Sequence, residues 1–169
     1  MASQREDYLM RLLAQLRELV ASLGRLRAAG RHAEALQLLL QAQERLFGRT
    51  VAELAPLSLE AQLDLLVTDV PAPVAAEKCA LYAALLREVA ATYRERGAAA
   101  LAPAALALAA QVVLAAAGRL RGVAPEPLAA AARELLPAVE AEGLPCELRE
   151  GLQRLIEKVP GAGAAPPPR

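Results

Sequence analysis

Tryptophan and asparagine are absent from this 169-residue chain, isoleucine occurs once, and the aromatics amount to three tyrosines and one phenylalanine. Strands draw on β-branched and aromatic side chains, so this scarcity argues against a sheet-built core. An excess of one charge is missing too, since 19 Lys and Arg stand against 19 Asp and Glu. Binding to a polyphosphate normally calls for a basic surplus, so no nucleic-acid partner is expected. Two cysteines are too few for a disulfide scaffold. What is present is a 56% hydrophobic composition, too apolar for disorder and long enough to bury a core. About 74 residues are alanine or leucine, both favourable in helices, and the expected fold class is all-α.

Glycines, prolines and caps divide the chain into seven or eight helices. Ser3 and Glu6 have capping-box spacing and open a helix predicted to run to Ala29. Leu9, Leu12, Leu13, Leu16, Leu19, Val20, Leu23 and Leu26 recur on it at helical steps, with Arg11, Gln15, Glu18, Ser22 and Arg25 opposite. Gly30 breaks this helix, and a second is expected over His32–Phe47 with Ala35, Leu36, Leu39, Leu40 and Ala42 inward, stopped by Gly48. Thr50 with Glu53 caps a short helix, and Ser58 caps another. Residues 69–73 read as a stiff proline connector. A long helix then runs from about Val74 to Gly97, and another from near Pro103 to Leu120. Pro127 fits the first turn of a helix that Pro137 should kink, and Pro145 opens the last one, ending near Lys158. The expected organisation is one helical domain over residues 1–159 and a disordered Pro/Ala/Gly tail over 160–169.

Residues 98–117 carry no charge and are long enough to span a bilayer. Most of them are alanine, which contributes little to insertion, and Pro103 and Gln111 oppose it, so a buried helix is expected rather than membrane insertion. No apolar stretch follows the opening Met1–Glu6, so a signal peptide is not expected. Cys79 and Cys146 each stand alone and read as small buried hydrophobes in a reducing, cytoplasmic setting.

Self-similarity is the most informative signal. Leu19-x-x-Ser22-Leu23-x-x-Leu26, Gly30, Ala35-x-x-x-Leu39-x-x-Ala42 is echoed by Leu86-x-x-Val89-Ala90-x-x-Tyr93, Gly97, Ala102-x-x-x-Leu106-x-x-Ala109. Both segments resemble the tetratricopeptide repeat, a helix-turn-helix unit of about 34 residues. The two glycines lie 67 residues apart, and the intervening unit, which should centre near Asp64, does not follow the pattern. The expected architecture is therefore a short array of stacked helical hairpins or an irregular bundle.

A second resemblance starts from Asp7-Tyr8-Leu9-Met10-Arg11-Leu12-Leu13-x-Gln15-Leu16, continues through Gly30 to Ala35 and the Ser58 cap, and returns at Leu144-Pro145-Cys146-Glu147-Leu148. These segments look like an uncharacterised family of small helical proteins from Firmicutes-type bacteria. Where that family closes with another helix pair, this chain carries residues 160–169. The resemblance implies fold and compartment, and no activity.

Nothing in the sequence points to catalysis, a cofactor or a metal. The lone histidine, His32, has no nucleophile motif beside it and reads as a surface residue; serine occurs at 3, 22 and 58 only. Asp7, Asp64 and Asp69 fall at helix ends or on polar faces. In stacked hairpin arrays the first helix of each pair lines the concave surface. That geometry places Arg17, Arg27, Arg87 and Arg94 on one side, with few adjacent acids, as a candidate partner-binding face for an acidic peptide. The expected function is a non-enzymatic scaffold or adaptor that binds a protein or peptide partner. A homo-oligomer paired through the Leu9–Leu26 stripe, a membrane-peripheral helix and a small-molecule binder remain as alternatives.

Overall fold

Three glycines turn the chain back on itself in the same way. Gly30, Gly97 and Gly143 have φ of 72°, 79° and 61°, the left-handed region where a side chain is strained. At each, the glycine N–H donates three residues back, to Arg27, Arg94 and Glu140. The next N–H donates five residues back, to Leu26, Tyr93 and Val139. This paired arrangement ends a helix and starts a reversal. The computed structural model describes residues 2–120 and 126–159, with side chains from residue 7 onward.

Among the described residues there are eight α-helices and no strand. They are α1 (Ala2–Ala28), α2 (His32–Phe47), α3 (Val51–Leu54), α4 (Leu59–Val67), α5 (Ala72–Glu95), α6 (Ala102–Arg119), α7 (Glu126–Ala141) and α8 (Cys146–Lys158), with a 3₁₀ turn at Ala99–Leu101. The all-α expectation holds, and most boundaries fall within two residues of those read from punctuation. The clearest shift is at α5. Ala72 and Pro73 belong to its first turn rather than to the connector, because a proline there forfeits an N–H that has no intrahelical partner. Helix α1 already includes Ser3, so that residue does not stand before the helix as a cap; its side chain lies outside the described part. Pro137 sits inside α7, and the helix continues past it to Ala141. The tail expected over 160–169 also lies outside the described residues.

The hairpins α1–α2, α5–α6 and α7–α8 pack in sequence. Helix α5 lies against both α1 and α2, and α7 lies against both α5 and α6, while α8 also touches α6. Short α3 and α4 fill the interval between the first two hairpins, which is why no repeat pattern is legible around Asp64. Their caps are those predicted. Thr50 Oγ1 accepts the Glu53 N–H while Glu53 returns a carboxylate to the Thr50 N–H, and Ser58 accepts from Ala61. Those bonds from Thr50 hold the exposed Glu53 carboxyl below its usual range.

Helix α5 is the spine. Thirteen of its 24 residues are buried, including Ala75, Ala76, Cys79, Ala83 and Ala90, so neighbouring helices approach it on nearly every side. Its small residues permit that closeness. Helix α6 buries Ala102, Leu106, Ala109, Ala110, Val112, Val113 and Ala116 against α5, α7 and α8. The segment Ala99–Arg119, with mean hydropathy 2.0, is nevertheless long and apolar enough to cross a membrane, and is the one such helix among the described residues. On α2 the expected inward set needs one correction. Leu40 is 48% exposed, and Leu46 and Phe47 complete the buried face instead. The Leu9–Leu26 stripe of α1 is covered within the chain, with Leu13, Leu16 and Leu23 fully buried against the core.

The two thiols differ in kind. Burial pushes the Cys79 thiol up to about 12, whereas Cys146, expected to be buried, is exposed because it stands in the first turn of α8. Native protein is therefore expected to react with one equivalent of a thiol-specific reagent at neutral pH, and denatured protein with two. Rapid labelling of both in the native state would contradict this packing.

Candidate functional site

The first helices of the three hairpins, α1, α5 and α7, together border a groove of about 610 Å³. Its lining is small where the helices come close. Ala21 and Gly24 project from α1, Ala80 and Ala84 from α5, and Ala130 and Ala131 from α7. A methyl on Gly24 would meet nothing nearer than Arg27 Nη2 at 4.0 Å, so the space beside it is open. Val20, Leu81, Pro127 and Leu135 add larger apolar surface, charged residues form the rest of the lining, and the four arginines singled out in the sequence can be placed against it. Arg17, Arg27 and Arg87 line the groove, while Arg94 lies further along α5.

They are not the free cationic face that was expected. Arg17 pairs with Glu77, and Arg87 with Glu134. Arg94 meets Glu142, its Nε donating at 2.7 Å. Arg27 reaches two carboxylates of α5, Glu88 at 3.0 Å and Glu95 at 2.8 Å. Arg17, Arg27 and Arg87 extend from the first helix of one hairpin to glutamates on the first helix of the next, and Arg94 reaches Glu142 just past the end of α7. The partners are 47 to 68 residues away, beyond anything local spacing reveals. Because the paired numbers rise together along both helices, α1, α5 and α7 run parallel. The reading of few adjacent acids is thus overturned, and with it the main reason to expect an acidic peptide.

The pairs differ in solvent access. In Arg17–Glu77 the arginine side chain is 47% exposed, and in Arg87–Glu134 the glutamate is 58% exposed. Arg27 and Glu88, by contrast, are 16% and 10% exposed. Glu88 Oε2 lies within ion-pair distance of Arg27 Nη2 but makes no aligned hydrogen bond, and neither does Arg27 Nε. His32 sits beside this cluster rather than on open surface. Its Nδ1 is shielded, without a hydrogen bond, and 3.6 Å from Glu95 Oε2. The last hairpin ends the series differently. Arg133 of α7 turns to Glu126 of its own helix at 3.0 Å and donates to the Val159 carbonyl at 2.5 Å. Asp64, read as a solvated or capping residue, is 63% exposed and also pairs with Arg119.

A groove with small walls and mutually paired charges offers shape and apolar surface and leaves none of these arginines without a carboxylate. No family model matches the chain, and neither a curated protein nor a solved structure matches it.

Proposed function

We propose that this protein is a non-enzymatic interaction module, built as a tetratricopeptide-like array, that seats a segment of a protein partner in the α1/α5/α7 groove. The observation carrying this reading is the groove's lining. Ala21, Gly24, Ala80, Ala84, Ala130 and Ala131 leave about 610 Å³ beside three parallel helices. Concave faces of stacked hairpins are suited to accept extended or helical segments. Since Arg17, Arg27 and Arg87 are engaged with glutamates, the seated face of the partner is apolar and close to neutral. The exposed free thiol of Cys146 fits a reducing, cytoplasmic setting.

Pairing two copies through α1 has less support. The stripe that suggested it already packs against α2 and α5 of the same chain.

The test places bulk in the groove. Ala84→Trp is expected to lower recovery of a captured partner about tenfold or more, a loss of at least ~1.4 kcal/mol of binding. Gln153→Trp, on the exposed side of α8, should leave recovery unchanged. Equal recovery by both variants, with helicity intact, would remove the groove from consideration.

A further inference from the structure

We propose, on the reading that the groove seats a partner segment, that this segment carries an asparagine or glutamine whose carboxamide sits on Glu88. Glu88 lines the groove from α5 and is 8% exposed. A carboxylate so enclosed normally accepts at least one hydrogen bond. Neither of its oxygens does so here. Oε2 is shielded and lies 3.0 Å from Arg27 Nη2 without alignment. Oε1 is the oxygen that solvent still reaches, and it stands 3.5 Å from Arg87 Nη2, again without a hydrogen bond. Arg87 commits Nη1 to Glu134, which leaves the Nη2 donors to spend elsewhere.

Water can solvate Oε1 while the groove is open. A partner that displaces the water must replace its bond or leave a buried charge unsatisfied. The neighbours decide which group fits. An ammonium or guanidinium would come up against Arg27 and Arg87, and a carboxylate against Glu88 itself. A primary carboxamide presents a donor and an acceptor side by side on one planar edge. Its N–H donates to Glu88 Oε1, and its C=O accepts from Arg87 Nη2. Leu81 and Ala84, on the same face of α5, also line the groove and require the rest of the segment to be apolar.

Selection from a randomised library of short amphipathic helical peptides displayed on phage tests this, with the full chain as bait. Peptides that bind the protein and fail on Ala84→Trp occupy the groove. Among them, one position should be held by Gln or Asn amid apolar residues. Changing that position to Leu, Lys or Glu in the synthetic peptide should weaken binding about tenfold or more, read by titration. Arg27→Met with Glu88→Leu replaces the seat by apolar floor, and on it the Leu peptide should bind at least as well as the Gln peptide. Arg87→Met keeps Glu88, removes the donor to the amide carbonyl, and should reduce the preference for Gln over Leu. Circular dichroism checks that each variant is folded. Groove peptides with no amide or with a hydroxyl in its place overturn the carboxamide seat and leave the groove standing, as does a Gln preference that survives the apolar double substitution. Absence of any peptide sensitive to Ala84→Trp overturns the groove, and the seat with it.

Discussion

Arg27→Met is expected to lower stability by about 2–3 kcal/mol, read as a shift in the denaturant midpoint without a change in slope. The substitution keeps the aliphatic stem and removes the charge that faces Glu88. A buried carboxylate stripped of its partner typically costs about 3–5 kcal/mol. Here the loss is smaller because Arg87 Nη2 remains 3.5 Å from Glu88 Oε1. Loss of the Glu95 contact adds little, since that carboxylate is 41% exposed and can turn to water. Arg17→Met is the comparison, and with an exposed pair it should cost less than about 1 kcal/mol. Adding Glu88→Leu to Arg27→Met should recover most of the lost stability, because the orphaned charge leaves along with its partner. If Arg27→Met proved as mild as Arg17→Met, the shielded cluster between the first two hairpins would not exist as described.

Tyr82→Ala should cost about 4 kcal/mol, the range for deleting a large buried ring. Tyr82 is 2% exposed, and its ring meets Phe47 edge to face at 4.9 Å between centroids. Its hydroxyl donates to Gln62 Oε1 at 2.7 Å. One side chain thus joins α5 to α2 and α4, so its removal opens a cavity where three elements meet. Tyr82→Phe keeps the ring and should cost only about 1 kcal/mol, because half-buried Gln62 can find water. Burial also raises the Tyr82 hydroxyl and the Cys79 thiol to about 12 each. Both groups are neutral in the fold and ionise more readily once unfolded. Their contribution is therefore complete below about pH 9 and is lost as pH rises toward about 12. Tyr82→Phe should flatten that alkaline decline, and thermal melts across this range measure it.

Much of the architecture could be read from local chemistry. Gly30 and Gly97 marked reversals because glycine alone takes the left-handed turn without strain, and Thr50 and Ser58 marked helix starts through their side-chain oxygens. Gly143 makes the same turn but escaped the repeat pattern. It follows Gly97 by 46 residues rather than 67, and its flanking helices lack the alanine spacing of the other two. Leu40 was placed inward on periodicity, yet it is 48% exposed while Leu39 and Ala42 on either side of it are buried. The site was only half legible. The sequence set Arg17, Arg27, Arg87 and Arg94 on successive first helices, because helical phase is a local property, and three of the four line the groove. Their glutamates belong to the next hairpin, so whether a charge was spent or free depended on stacking that no short-range pattern encodes.

The one-way order of those pairs makes the three units unequal as building blocks. The middle hairpin receives through Glu77, Glu88 and Glu95 what its predecessor extends, and offers Arg87 and Arg94 to its successor. The terminal unit spends Arg133 on itself. An engineer wishing to elongate the molecule would therefore duplicate α5–α6, whose two edges are complementary like a plug and its socket, and leave α7–α8 as the stopper.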